Sequence, residues 1–257
     1  MINFAHHPGL VAYVTCGDPD LAATKDVVLA AADAGADVIE LGVPFSDPVA
    51  DGPVIQNASQ RALEKGTRLE DVLQLAREVR AQSDVGLIIF SYLNPIMRFG
   101  LDRFCAAAQD AGVDGALVTD LPVEEADDYI RLMRGRDLAT VFLAAPTSPN
   151  ERLKKIAEAS TGFVYAVSRT GVTGTRSELS DDASGLVRRI RKYTKLPVAV
   201  GFGVSSAEQF AAVGEFADAA VVGSAIVKTI ESAGRERAAS AVADFVRNLR
   251  SQSAVSR

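Results

Sequence analysis

The 257-residue chain contains no tryptophan, two cysteines and two histidines. Cys16 and Cys105 alone supply neither a disulfide framework nor a metal-ligand cluster. His6 and His7 stand together in a tail ahead of the first candidate strand, which argues against a histidine-based triad and a His-rich metal site, so no metal is expected. Acid–base chemistry therefore falls to Asp, Glu, Lys, Tyr or Cys. No apolar run approaches ~18 residues, and no basic segment leads into a signal-like apolar stretch, so the cytoplasm is the expected compartment. Basic excess is lacking too: the net charge of −6 argues against a nucleic-acid partner but not against a small anion held by local donors.

What is present is a repeated pattern. Eight short apolar runs, at residues 10–15, 37–42, 86–92, 115–120, 139–145, 162–167, 197–203 and 219–224, are continuous rather than alternating, as suits parallel strands covered on both faces. Helical stretches separate them. Residues 20–34 set Val27, Val28, Ala31 and Ala32 on one stripe with Gly35 following, residues 102–111 run into Gly112 in the same way, and Ser205 with Glu208 reads as a capping box. The segments AGADVIE, AGVDGALV and FADAAVVG echo one another as helix-to-strand joints. Strict alternation implies right-handed parallel crossovers. Eight units favour a closed (β/α)8 barrel in one domain, 1–257, with tails at 1–9 and 251–257; an open doubly wound sheet stays possible, but GDPD stands after the first run where a dinucleotide fold needs GxGxxG.

Two connections stand out as long, 43–57 after the second strand and 168–180 after the sixth, the latter rich in Gly, Ser and Thr like a lid. Glu40 interrupts an apolar strand. By alternation it faces inward with Val38 and Gly42, while Ile39, Leu41 and Val43 face the helices. An inward carboxyl with no partner has its pKa raised by desolvation, as a general acid or base requires; the alternative is a structural Glu bonded to backbone or lysine. Asp51, on the following loop, is a second carboxylate able to stay ionised nearby, or an ordinary turn former like Asp47. Gly171, Thr173 and Gly174, then Gly201-Phe202-Gly203, then Gly223-Ser224 before a short helix converge as an anion cradle, the place where barrels hold phosphate. Tyr13, Tyr92, Asn94, Tyr165 and Phe202 either line a pocket for a planar substrate or belong to the core, Thr119 and Asp120 stand at the mouth with a helix cap as the alternative for Asp120, and Cys16 reads as an inert buried thiol.

Taken together, IELGVPFSDPVADGPVIQNA at 39–58, YVTCGDPD at 13–20, YAVSRTGVTGTR at 165–176, GFGVSS at 201–206 and VVGSAIV at 221–227 resemble the tryptophan synthase alpha subunit family along nearly the whole chain. The resemblance implies retro-aldol cleavage of indole-3-glycerol phosphate to indole and glyceraldehyde 3-phosphate. It places Glu40 and Asp51 as the catalytic pair, Tyr165 and Tyr13 beside the substrate, and Thr173, Gly174, Gly203, Gly223 and Ser224 at the phosphate. It further implies no cofactor in this chain, a beta subunit carrying pyridoxal phosphate in an α2β2 assembly, passage of indole between sites, and communication through loop 44–51 and the lid from 168. A stand-alone lyase releasing free indole is the alternative. The first strand begins by residue 10, so the helix preceding it in the family is short or missing, and the closure of the barrel bottom is left open.

Overall fold

The computed structural model describes residues 2–167, 176–201 and 203–251, with side chains from residue 182 onward in the helix that begins at 176. Among these, eight strands close into a parallel barrel in sequence order: β1 (Gly9–Thr15), β2 (Val38–Gly42), β3 (Gly86–Ser91), β4 (Gly115–Val118), β5 (Ala139–Ala144), β6 (Val164–Val167), β7 (Val198–Gly201) and β8 (Ala219–Val222). Last and first strands pair with Val11 opposite Val221, so the open-sheet alternative is set aside. Several strands are shorter than their apolar runs at the C-terminal end, because the chain there turns outward into the mouth; residue 224, assigned to the eighth run, already starts a helix.

The helices are α1 (Leu21–Asp33), α2 (Pro53–Glu64), α3 (Leu69–Arg80), α4 (Leu93–Phe99), α5 (Leu101–Asp110), α6 (Asp127–Arg134), α7 (Asn150–Ala159), α8 (Arg176–Ile190), α9 (Ala207–Gly214), α10 (Ser224–Ala233) and α11 (Ala238–Ser251), with a 3-10 turn at Val123–Glu125. Local chemistry explains their ends. Asp20 caps α1 by accepting from the Ala23 amide at 2.8 Å, and Gly35 beyond its end has φ +108°, where a Cβ would be strained. The α1 stripe buries Val27, Val28 and Ala31 with Ala23 and Thr24, while Ala32 is only half-buried.

Two sequence expectations shift. The box expected at Ser205 and Glu208 sits one residue later: Ser206 caps α9 by accepting from the Gln209 amide at 3.3 Å, and Gln209 Oε1 reaches back to the Ser205 amide at 2.8 Å. The long connection 43–57 ends at Gly52, because Pro53, whose missing N–H would be unpaired there anyway, opens α2. The lid expected at 168–180 falls on 168–175, outside the described residues, and on the start of α8.

Alternation divides the core in two. Ile39, Leu41 and Val43 join the large cluster between strands and helices, while Val38 joins Val11, Ile88, Leu117, Val141 and Ala199 in the lumen. Among the described residues ahead of β1, an irregular arm rather than a helix covers the barrel floor. Residues 2–8 lie across the bottom, Ile2 and Phe4 plug the lumen cluster, and Phe4 meets Phe163 edge-on at 6.0 Å. Asp37 clasps this arm to the barrel. Its buried carboxylate accepts from the amides of Ala5 (3.0 Å) and Leu10 (2.8 Å) and from Arg250 of α11 (2.6 Å), with His6 Nδ1 at 2.8 Å. A carboxylate with several donors in place holds the floor more firmly than apolar contact alone.

Candidate active site at the barrel mouth

A cavity of about 310 Å³ opens at the C-terminal ends of the strands. Glu40 lies in its wall on β2, opposite Tyr13 of β1 in the register. The residue is 1% exposed and neither carboxylate oxygen has a hydrogen-bond partner among the described residues. Desolvation therefore dominates, and it raises the Glu40 pKa from 4.5 to about 8. At neutral pH the group carries a proton, and it sits close enough to neutrality to exchange it.

Asp51 enters the same cavity from the loop after β2. Burial raises its pKa, and a hydrogen bond from Tyr92 Oη to Asp51 Oδ2 (3.0 Å) opposes that. The two carboxyls therefore differ in kind: one dry and unpartnered, one half-buried and bonded. That is the division of environments by which one carboxyl moves a proton while the other holds a charge.

Two tyrosines flank Glu40, and each depends on a strand glycine. A Cβ on Gly42 would stand 2.6 Å from Tyr13 Cζ, and one on Gly201 would stand 2.7 Å from Tyr165 Cε1, so the rings fit only because both side chains are missing. Gly201, read from the sequence as part of the anion cradle, thus serves Tyr165. Tyr13 meets Phe90 edge-on at 5.0 Å, and its hydroxyl accepts from Thr15 Oγ1 at 3.4 Å. Burial, then the negative charge of the nearby carboxyls, raises the pKa of both phenols well above the usual value, so both stay neutral.

Of the three strand ends expected to form an anion cradle, two lie within the described residues. Gly203, at φ +63°, and Gly223 and Ser224 border the cavity together. The first helical bond of α10 runs from the Val227 amide to the Gly223 carbonyl (3.1 Å), which leaves the amides of its first turn without helical acceptors, the usual donors to an anion. Thr173, Gly174 and Phe202 lie outside the described residues.

The sequence missed or misplaced some roles. Thr119, Ile55, Phe90, Leu143 and Val167 line the cavity, and only Thr119 among them was singled out, as a residue at the mouth. Asn94 is exposed on α4 and does not line it. Tyr92 stands behind Asp51 rather than in the wall. Asp120 caps α4 by accepting from the Leu93 amide at 2.7 Å. Cys16 is buried on the helix side, its thiol pushed far up by desolvation, and is inert. No group of three or more His, Cys, Asp or Glu among the described residues is placed to hold a metal, and no described helix is long and apolar enough to cross a membrane.

A closed (β/α)8 barrel whose C-terminal mouth brings a dry, unpartnered carboxyl and the start of a helix to one cavity has the architecture of a barrel enzyme. Its sequence matches the family model described as tryptophan synthase alpha chain over residues 3–255, and the chain belongs to that family. It is 54% identical over 222 residues to the tryptophan synthase alpha chain of Solibacter usitatus, covering 86% of this chain and 83% of that one. Among solved structures it is similar to a chain of the a2b2 tryptophan synthase complex of Pyrococcus furiosus (TM-score 0.89, 44% identity, 95% and 98% covered). It is also similar to the tryptophan synthase subunit alpha of Legionella pneumophila (TM-score 0.89, 35% identity, 96% and 93% covered).

Proposed function

We propose that this chain cleaves indole-3-glycerol phosphate to indole and glyceraldehyde 3-phosphate, as the alpha subunit of a tryptophan synthase. The observation that carries the reading is the dry, unpartnered Glu40 facing the same cavity as the bonded Asp51 and the amide-lined end of α10. The phosphate binds Gly203, Gly223 and Ser224, joined by Thr173 and Gly174, and the indole packs between Tyr13, Phe90 and Tyr165.

Glu40 arrives protonated and gives its proton to indole C3. The ring becomes a cationic indolenine, whose N–H donates to Asp51 while the carboxylate offsets the charge. The glycerol hydroxyl next to the scissile bond then loses its proton to Glu40, a carbonyl forms, the carbon–carbon bond breaks, and its electron pair restores the aromatic indole. One proton enters at C3 and one leaves the hydroxyl, so the same carboxyl is regenerated with no cofactor required in this chain. Indole passes to a beta subunit carrying pyridoxal phosphate in an α2β2 assembly in the cytoplasm. A solved relative is an a2b2 complex, which favours the subunit reading over a stand-alone lyase. The loop around Val49, 86% exposed, suits contact with that subunit.

Glu40→Gln keeps the size of the side chain and removes its proton. Indole release from indole-3-glycerol phosphate, measured with and without the beta subunit, should fall at least ~1,000-fold. Substantial turnover in that variant sinks the assignment of Glu40. Wild-type chain that neither releases indole nor changes size when a beta subunit is added sinks the function itself.

A further inference from the structure

Tyr92 ends the run that forms β3 and is the N-cap of α4; it is 2% exposed. One phenol meets the Asp51 loop at three points. Phe45 lies against its ring with centroids 5.1 Å apart at 33°. Its hydroxyl oxygen accepts from the Ala50 amide at 2.9 Å, and the same hydroxyl donates to Asp51 Oδ2 at 3.0 Å. The donor and acceptor capacities are thus both used on adjacent loop residues. Among the described residues, the other bonds at Asp51 are to its main chain: its amide donates to the Pro48 carbonyl (3.0 Å), and Gln56 Nε2 donates to its carbonyl (2.8 Å). They set the backbone but leave the carboxylate free to turn.

We propose that Tyr92 is a positioning residue, whose hydroxyl fixes Asp51 Oδ2 at the rear of the cavity and favours the charged carboxylate without touching substrate. With Oδ2 held, Oδ1 is left to accept from the indole N–H. An O–H donor stabilises a carboxylate more than a carboxylic acid, so it opposes the rise that burial causes. Nothing cationic among the described residues facing Asp51 does this instead. Tyr13 from β1, Glu40 from β2 and Tyr165 from β6 border the same cavity, and Tyr92 approaches from behind. The inference rests on the proposed role of Asp51 and deepens it.

Tyr92→Phe removes the hydroxyl and keeps the ring against Phe45. In the full chain with its beta subunit, kcat/KM for indole-3-glycerol phosphate should fall about tenfold at neutral pH. Its acidic limb should move to higher pH, because Asp51 now protonates sooner. Carbon-13 NMR titration of the Asp51 carboxyl in the chain alone should show the same upward move independently of turnover. In an Asp51→Asn background, which has no charge at that position to favour, Tyr92→Phe should leave the pH profile unmoved and cost less than it does in the wild type. Equal loss of activity at every pH with an unmoved Asp51 titration, or multiplied losses in the double variant, overturns the proposal. Wild-type chain that lacks turnover while the Asp51 titration still moves overturns the function and leaves the positioning role standing.

Discussion

Replacing Glu40 with Gln tests the site through stability, with no substrate present. The buried carboxyl titrates at about 8 rather than the usual 4.5, so the folded chain holds its proton across a window in which the unfolded chain has lost it. Linkage makes the wild type lose stability as pH rises through that window, level off above about 8, and suffer no such penalty below about 4.5. The width of the window from 4.5 to about 8, at ~1.4 kcal/mol per pH unit, sets a ceiling of about 5 kcal/mol. Water entering the open cavity trims this to about 2–4 kcal/mol. Glutamine is uncharged at every pH and presents nearly the same buried polar surface as the protonated acid. Urea unfolding of both proteins between about pH 5 and about pH 9 should therefore give curves that diverge, the variant gaining on the wild type by that amount. Parallel curves refute the reasoning, and a wild type that gains on the variant would mean that Glu40 is ionised and paired in solution.

Other parts of the structure give sharp expectations. Gly42→Ala drives a methyl into the Tyr13 ring, so indole-3-glycerol phosphate turnover should drop at least ~10-fold, and Tyr13→Leu in the same chain should restore part of it by clearing the clash. Normal kinetics in Gly42→Ala alone would show that the two do not compete for space. Phe4→Ala removes the ring that meets Phe163 in the floor and should cost about 2–4 kcal/mol by urea unfolding, with KM changed less than twofold, because floor and mouth are opposite ends of the barrel. A large KM change would show that the arm shapes the substrate site.

Much of the fold was legible in the residues. Eight continuous apolar runs separated by helical stripes implied parallel strands covered on both faces, and alternation along residues 38–43 correctly turned Glu40 inward. Boundaries were less legible, since apolar residues such as Val221 and Val222 run without a break into Gly223 and the helix after it, and only the geometry of the mouth decides where pairing stops. The floor was not legible at all. Ile2 and Phe4 in a short polar-flanked arm carry no periodic signal, and the clasp at Asp37 gathers residues from both ends of the chain.

The site divides the same way. An acidic side chain in an apolar strand is a local anomaly, so Glu40 could be picked out from its neighbours alone. Asp51 could not, because an aspartate between Ala50 and Gly52 is what any turn contains, and only family resemblance raised it. What sets it apart from a turn residue in the structure is its place at the cavity and its bond to a phenol 41 positions further along the chain. The clearance that Gly42 gives Tyr13 and Gly201 gives Tyr165 likewise joins residues on different strands. The residues alone carried the repeated unit, eight times over, and one inward carboxyl, because periodicity and burial act between near neighbours; closure into a barrel was favoured by the count and decided by the pairing of β8 with β1. Which groups share the cavity, which carboxyl is left dry and which is held by Tyr92 depended on strand register and loop docking, and those exist only once the barrel has closed.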